Sequence, residues 1–187
     1  MATVKVDIGG TNITASQLSE FFRLAAIPGS HINRASLQVL LEDRAKPFDE
    51  AAYYQTRPGL YVNPDLKRYV GLQVRATRGA KALKPPRLLL NNESEATMFG
   101  ELGSPKHAQT LANAVDLGQI AGKIEAQKNG EDGELLTEGE ANIFPVCGLD
   151  GALRVVDVGR DDGKWLVVCR PFRADFVWLA GFQVFSN

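Results

Sequence analysis

Hydrophobic positions recur with a period of two at the start of the chain, where Val4, Val6 and Ile8 alternate with Thr3, Lys5 and Asp7. That is the pattern of a half-buried strand. Gly9-Gly10-Thr11-Asn12 then reads as a turn. From Thr14 the period changes. Thr14-Ala15-Ser16-Gln17 has the form of a capping box, and Leu18, Phe21, Phe22 and Ala25 follow at helical spacing, which predicts an amphipathic helix over 14–26. Ile27-Pro28-Gly29 ends it. A second short helix from Asn33 carries Leu37, Leu40 and Leu41 inward and stops before Pro47, so the two are expected to form a helical hairpin.

The middle of the chain has shorter runs. Residues 60–62 predict a short strand, and Asn63-Pro64-Asp65 a turn. Over 69–77, Val70, Leu72, Val74 and Ala76 alternate with Tyr69, Gln73, Arg75 and Thr77, which predicts another strand. The basic connection 79–86 ends in Pro85-Pro86 and marks the expected boundary between two halves, 1–84 and 85–187, of one or two domains. Residues 87–91 form a further candidate strand.

The last part has a clearer outline. Ser104-Pro105 opens a helix expected to reach Gln127, with Ala114, Leu117, Ala121 and Ile124 as its apolar seam. Four β runs follow at 141–147, 153–158, 164–170 and 176–185, with Asp150-Gly151 and Asp162-Gly163 at hairpin turns. Tight turns connect only antiparallel strands. The expected class is therefore α+β: an N-terminal strand with a helical hairpin, then a C-terminal antiparallel meander packed by one long helix.

Composition adds limits. At 187 residues, 44% hydrophobic and 23% charged, the chain reads as a soluble globular protein that needs no metal or disulfide to fold. A net charge of −1 gives no global attraction to nucleic acid or membrane. The first residues lack the basic start and apolar run of a signal peptide, so a cytoplasmic location is expected. Cys147 and Cys169 are then reduced thiols rather than a disulfide, and the sequons at Asn12 and Asn92 are chance matches.

Charge is unevenly spread. All four tyrosines, Tyr53, Tyr54, Tyr61 and Tyr69, lie within seventeen residues. From Tyr53 to Leu90 the basic residues are Arg57, Lys67, Arg68, Arg75, Arg78, Lys81, Lys84 and Arg87, against Asp65 alone. That segment carries +7 and the remainder −8. Such asymmetry is the footprint of a polyanion or acidic-surface site, with cations neutralising charge and tyrosines offering stacking faces. Tyr61, Lys67, Arg68, Tyr69, Arg75, Arg78, Lys81, Lys84 and Arg87 are the candidate partner-binding residues. Arg75 and Tyr69 are expected on one strand face. The functional expectation is a non-enzymatic binding protein whose partner is an acidic protein face or a second copy of the chain, with nucleic acid as the other reading.

Asp7-Ile8-Gly9-Gly10-Thr11-Asn12 resembles the first phosphate-binding turn of the hexokinase-like sugar kinases. Glycines let backbone N–H groups approach a phosphate while the Asp serves Mg²⁺ or its waters. The resemblance implies a nucleotide-dependent enzyme using Asp7 to Thr11, the alternative function. In those kinases a second strand follows the turn, whereas the capping box at Thr14 predicts a helix here. Separately, Trp178-x-x-Gly181-x-x-Val184-Phe185-Ser186-Asn187 and the stretch 37–42 resemble uncharacterised small bacterial proteins, which implies no function.

Other chemistry has little material. His31 and His107 are the only histidines, no signature surrounds either thiol, and no short Cys or His pair has zinc spacing. No catalytic residue, cofactor or metal is assigned. Trp165, Phe172, Phe176, Trp178, Phe182 and Phe185 crowd 21 residues and are expected to form core. Gly118 and Gly122 fit close packing of a helix on a sheet.

Overall fold

The computed structural model describes residues 5–8, 11–14, 48–75 and 83–187. Contacts divide the chain into two units, residues 1–48 with 75–77, and residues 49–74 with 78–187. In this division most of the basic segment belongs with the C-terminal unit.

In the first unit β1 (Lys5–Ile8) pairs antiparallel with β2 (Thr11–Thr14), from Lys5 opposite Thr14 to Ile8 opposite Thr11. Thr14 is thus the last residue of β2. Thr11, Ile13 and Thr14 are β-branched and suit a strand, and a Gly-Gly pair suits a two-residue hairpin connection. Beyond Thr14, the expected helical hairpin lies outside the described residues.

The second unit is built on a mixed six-stranded sheet in the order β4-β10-β9-β8-β12-β6. Two-residue strands β3 (Phe48–Asp49) and β5 (Val74–Arg75) lie at the division between the units. β4 (Leu60–Val62) forms one edge and β6 (Arg87–Leu88) the other. Between them β8 (Asn142–Cys147), β9 (Leu153–Asp161) and β10 (Lys164–Pro171) form the expected antiparallel meander. The β9–β10 hairpin closes at Asp162-Gly163, both at positive φ (46° and 73°), as a type I′ connection requires. The meander is not the whole sheet. β4 joins β10 in parallel and β12 (Gln183–Val184) joins β8 in parallel, pairings that no local turn encodes. The expected strand over 176–185 is two short ones, because β11 (Val177–Trp178) leaves to pair with β7 (Glu93–Ser94).

Side chains alternate across the sheet. Trp165, Val167 and Cys169 of β10 share a face with Val156 and Val158 of β9 and Phe144 and Val146 of β8, all buried. Burial pushes the Cys169 thiol up to about 12, so it acts as a small core hydrophobe. Helix α1 (Glu50–Tyr53) and helix α2 (Asp65–Tyr69) flank β4. Tyr69 therefore ends a helix, and among the described residues of 69–77 only Val74–Arg75 form a strand. Tyr54 is buried and donates its hydroxyl to Leu117 O at 2.6 Å.

The single long helix expected over 104–127 is two. α4 (Pro105–Ala112) starts at Ser104, whose Oγ accepts from His107 N. α5 (Leu117–Ala126) starts at Asp116 in a capping box, where Asp116 N donates to Gln119 Oε1. Between them Val115 N donates to Pro145 O on β8, which draws the chain out of helical register. Leu117, Ile120, Ala121 and Ile124 of α5 are buried, and the Gln127 carbonyl at its end accepts Trp165 Nε1 at 3.1 Å.

The other sheet face is covered by α3 (Glu95–Phe99) and the chain after β10. Leu89, Met98, Phe99 and Trp178 form one cluster with Ile143, Leu153 and Val155. At its centre Glu95 is fully buried. Its carboxylate accepts from the Arg170 guanidinium, from Arg173 N at 2.7 Å and from Trp178 Nε1 at 3.0 Å. The Arg170 guanidinium lies over the rings of Phe176 and Trp178, 3.8 and 4.8 Å from their centroids. Asp157, two places along the same face, is pushed up to about 6 by burial, Arg170 opposing the shift and Glu95 adding to it.

Removing one partner of a buried pair strands the other charge. Glu95→Gln is therefore expected to lower unfolding free energy by about 3 kcal/mol or more in urea titration. Asp157 works in the opposite sense. Its pKa is higher folded than unfolded, so its charged form costs stability above about pH 6, a cost that fades as pH falls to its ordinary value of 3.8. Asp157→Asn should raise the melting temperature near neutral pH, with the gain shrinking to nothing by about pH 4 in paired melts.

Candidate functional site

The described candidate partner-binding residues do not converge on one surface. Tyr61 lies on β4 at one edge of the sheet, while Arg87 lies on β6 at the other, with Lys84 just before it. Five strand spacings separate those edges, roughly 24 Å. Lys67, Arg68 and Tyr69 are on α2, beside β4 and β10. The Tyr69 ring is bracketed by the guanidiniums of Arg68 and Arg154, each 5.3 Å from its centroid. Arg75 is described only as a β5 residue, off any strand with Tyr69, and Arg78 and Lys81 lie outside the described residues. Tyr53 and Tyr54 point inward, with hydroxyls donated to carbonyls of α5.

Lys84 and Arg87 do share a feature, a groove of about 290 Å³ at the β6 edge. Several elements build it. Lys84 N donates to Ser186 O and so ties the basic segment to the chain after β12. Lys106 comes from the first turn of α4, which Ser104 caps and Pro105 starts. Gly100 fixes how α4 meets α3. It takes φ of 86°, accepts His107 Nδ1 on its carbonyl, and has no room for a Cβ beside His107 N. His107, buried against Phe172, is thus a packing residue.

The groove has a cationic rim on an apolar floor. Lys84, Arg87 and Lys106 line it, over Met98, Phe99 and Phe185. Two of the cations have partners. Arg87 makes a bidentate pair with Glu93 at 2.6 and 3.0 Å, and Lys106 Nζ donates to Thr97 O. The Lys84 ammonium has no partner among the described residues, nor do the hydroxyls of Thr110 and Ser186 on the same wall. Next along the chain from Arg87, Leu88 and Leu90 are exposed, the latter by 79%, though neither lines the groove. Leu179 is exposed in the neighbouring loop, which is tied on by Gly181 N to Leu89 O and Ala180 N to Asn92 Oδ1. The edge itself is short and follows Pro85-Pro86, features that protect a strand edge from pairing.

A second cleft of about 230 Å³ lies at the far edge, with Arg57 and Arg160 on its walls. Both guanidiniums are engaged, Arg57 with Glu125 and the Tyr53 carbonyl, and Arg160 with Asn129 O and Gly163 O. Among the described residues no three His, Cys, Asp or Glu side chains gather as metal ligands, and no helix is long and apolar enough to cross a membrane.

The groove was only half legible beforehand. Lys84 and Arg87 stood out by charge, whereas Lys106 and Phe185 carry no local signal that they meet them. Compared with known families, curated proteins and solved structures, this chain matches no family model, no curated protein and no solved structure.

Proposed function

We propose that this is a cytoplasmic, non-enzymatic binding protein whose contact surface is the 84–90 edge of the sheet, and that its partner is an acidic protein segment. One observation carries this reading: three cationic side chains rim an apolar groove at the β6 edge. A partner side chain with a carboxylate suits the rim, and apolar neighbours suit the floor and Leu88 and Leu90. Nucleic acid is less well supported. It needs a cationic track interleaved with stacking faces, and the tyrosines lie on α1, on α2 and at the opposite edge.

The reading is tested with two labelled probes, an alternating Glu-Leu peptide and oligothymidylate, followed by fluorescence anisotropy. The peptide is expected to bind with an affinity that Lys84→Gln and Leu90→Ser each reduce. Oligothymidylate binding that falls steeply with salt and survives those substitutions would replace the acidic protein with nucleic acid.

A second reading, a nucleotide-dependent activity at Asp7 to Thr11, is favoured by one observation: β2 follows the Gly-Gly connection, as in the kinase turn that the motif resembles. Mg-ATP in large excess should then raise the melting temperature of the wild-type protein and not of Asp7→Ala. An unchanged melting temperature removes this reading.

A further inference from the structure

One cation of the groove's rim, Arg87, already holds a carboxylate. Glu93 lies on β7, four residues beyond the buried Leu89, and both its oxygens are taken by Arg87. The Arg87 side chain beside it holds the Glu93 carboxyl below the usual range, and Lys106 is near enough to add to the effect. Glu93 is thus set between two of the three rim cations. The third, Lys84, stands without a partner among the described residues. The pair is partly solvent-accessible, with about half of the Arg87 side chain and a fifth of the Glu93 side chain exposed. Solvent screens the open side of such a pair, and an incoming anion can compete there for the guanidinium.

Resting on the acidic-segment reading above, we propose that the groove recognises one carboxylate side chain flanked by an apolar one, and that Glu93 is a built-in competitor that holds Arg87 until the partner's carboxylate replaces it. The chemistry is an exchange of one bidentate carboxylate for another on the same guanidinium, with Lys84 drawing the incoming charge and Met98, Phe99 and Phe185 receiving the apolar neighbour. Glu93 also prevents weakly acidic or purely electrostatic ligands from settling, because they meet a rim with one net cation fewer.

The test uses the full chain and three labelled peptides, alternating Glu-Leu, Gln-Leu and Glu-Gly, read by anisotropy. Glu93→Gln should tighten Glu-Leu binding by about threefold or more, since it frees Arg87. The exposed Glu138→Gln, which removes the same charge elsewhere, should not tighten it. In Glu93→Gln a further Arg87→Gln should cancel the gain, and the Gln-Leu and Glu-Gly peptides should bind more weakly than Glu-Leu. Binding by Glu93→Gln where the wild type shows none also supports the proposal. Three results overturn it: unchanged or weaker binding by Glu93→Gln, an equal gain from Glu138→Gln, or equal binding of the Gln-Leu peptide. If wild type and Glu93→Gln both fail to bind any of the peptides, the acidic-segment reading falls with it. If wild type binds in a Lys84-dependent way but Glu93→Gln changes nothing, only the competitor role falls.

Discussion

Glu95 carries the second unit's most demanding constraint. A carboxylate with no exposure has to find its hydrogen bonds inside the protein, and this one takes them from Arg170, the Arg173 backbone and Trp178. Those donors lie 75 to 83 residues away along the chain. Satisfying one side chain therefore brings α3 onto the end of β10 and folds the Phe172 to Trp178 stretch over it. The Arg170 guanidinium is in turn sheltered by two rings, so charge and aromatic packing are parts of one arrangement. From it follows the cover over the second sheet face, and with that cover the position of Met98 and Phe99, which floor the groove.

Buried amides play a comparable part on the long connection between α5 and β8. Gln127 uses its side chain on Glu131 O and on both the N–H and carbonyl of Leu135. Asn142 does the same for Leu136 and reaches Val158 O, while Gln183 donates to Glu134 O and to Asn142 Oδ1. A connection without regular structure needs partners for its backbone, and three amides supply them. Asn187 closes the groove's side of the molecule in the same way, with Nδ2 donated to Ala114 O.

The proposed contact surface comes from how the sheet sorts a basic stretch of chain. Counted along the sequence, eight cations between Tyr53 and Leu90 look like one patch. The strand order sends the 60–69 part to one edge and the 84–90 part to the other, and the tyrosines mostly inward or against arginines. What remains at the β6 edge is small, a groove fit for a side chain rather than a track fit for a polymer. A binding role survives this redistribution better than a nucleic-acid role, because one carboxylate and one apolar group need only a few convergent contacts.

Local pattern alone determined much of the meander. Alternation at 153–158 and 164–170, the Asp162-Gly163 turn and the buried face of Trp165, Val167 and Cys169 all depend on neighbours in sequence, and period and turn chemistry report those directly. Asp116 with Gln119 was equally readable as a second helix start, and it was hidden only by an apolar seam that continues across the break. The parallel additions of β4 and β12, the burial of Glu95 and the meeting of Lys84, Arg87 and Lys106 were decided only by tertiary structure. Each joins segments tens of residues apart through a backbone ladder or a single buried charge, and such energies have no periodicity to leave in the sequence.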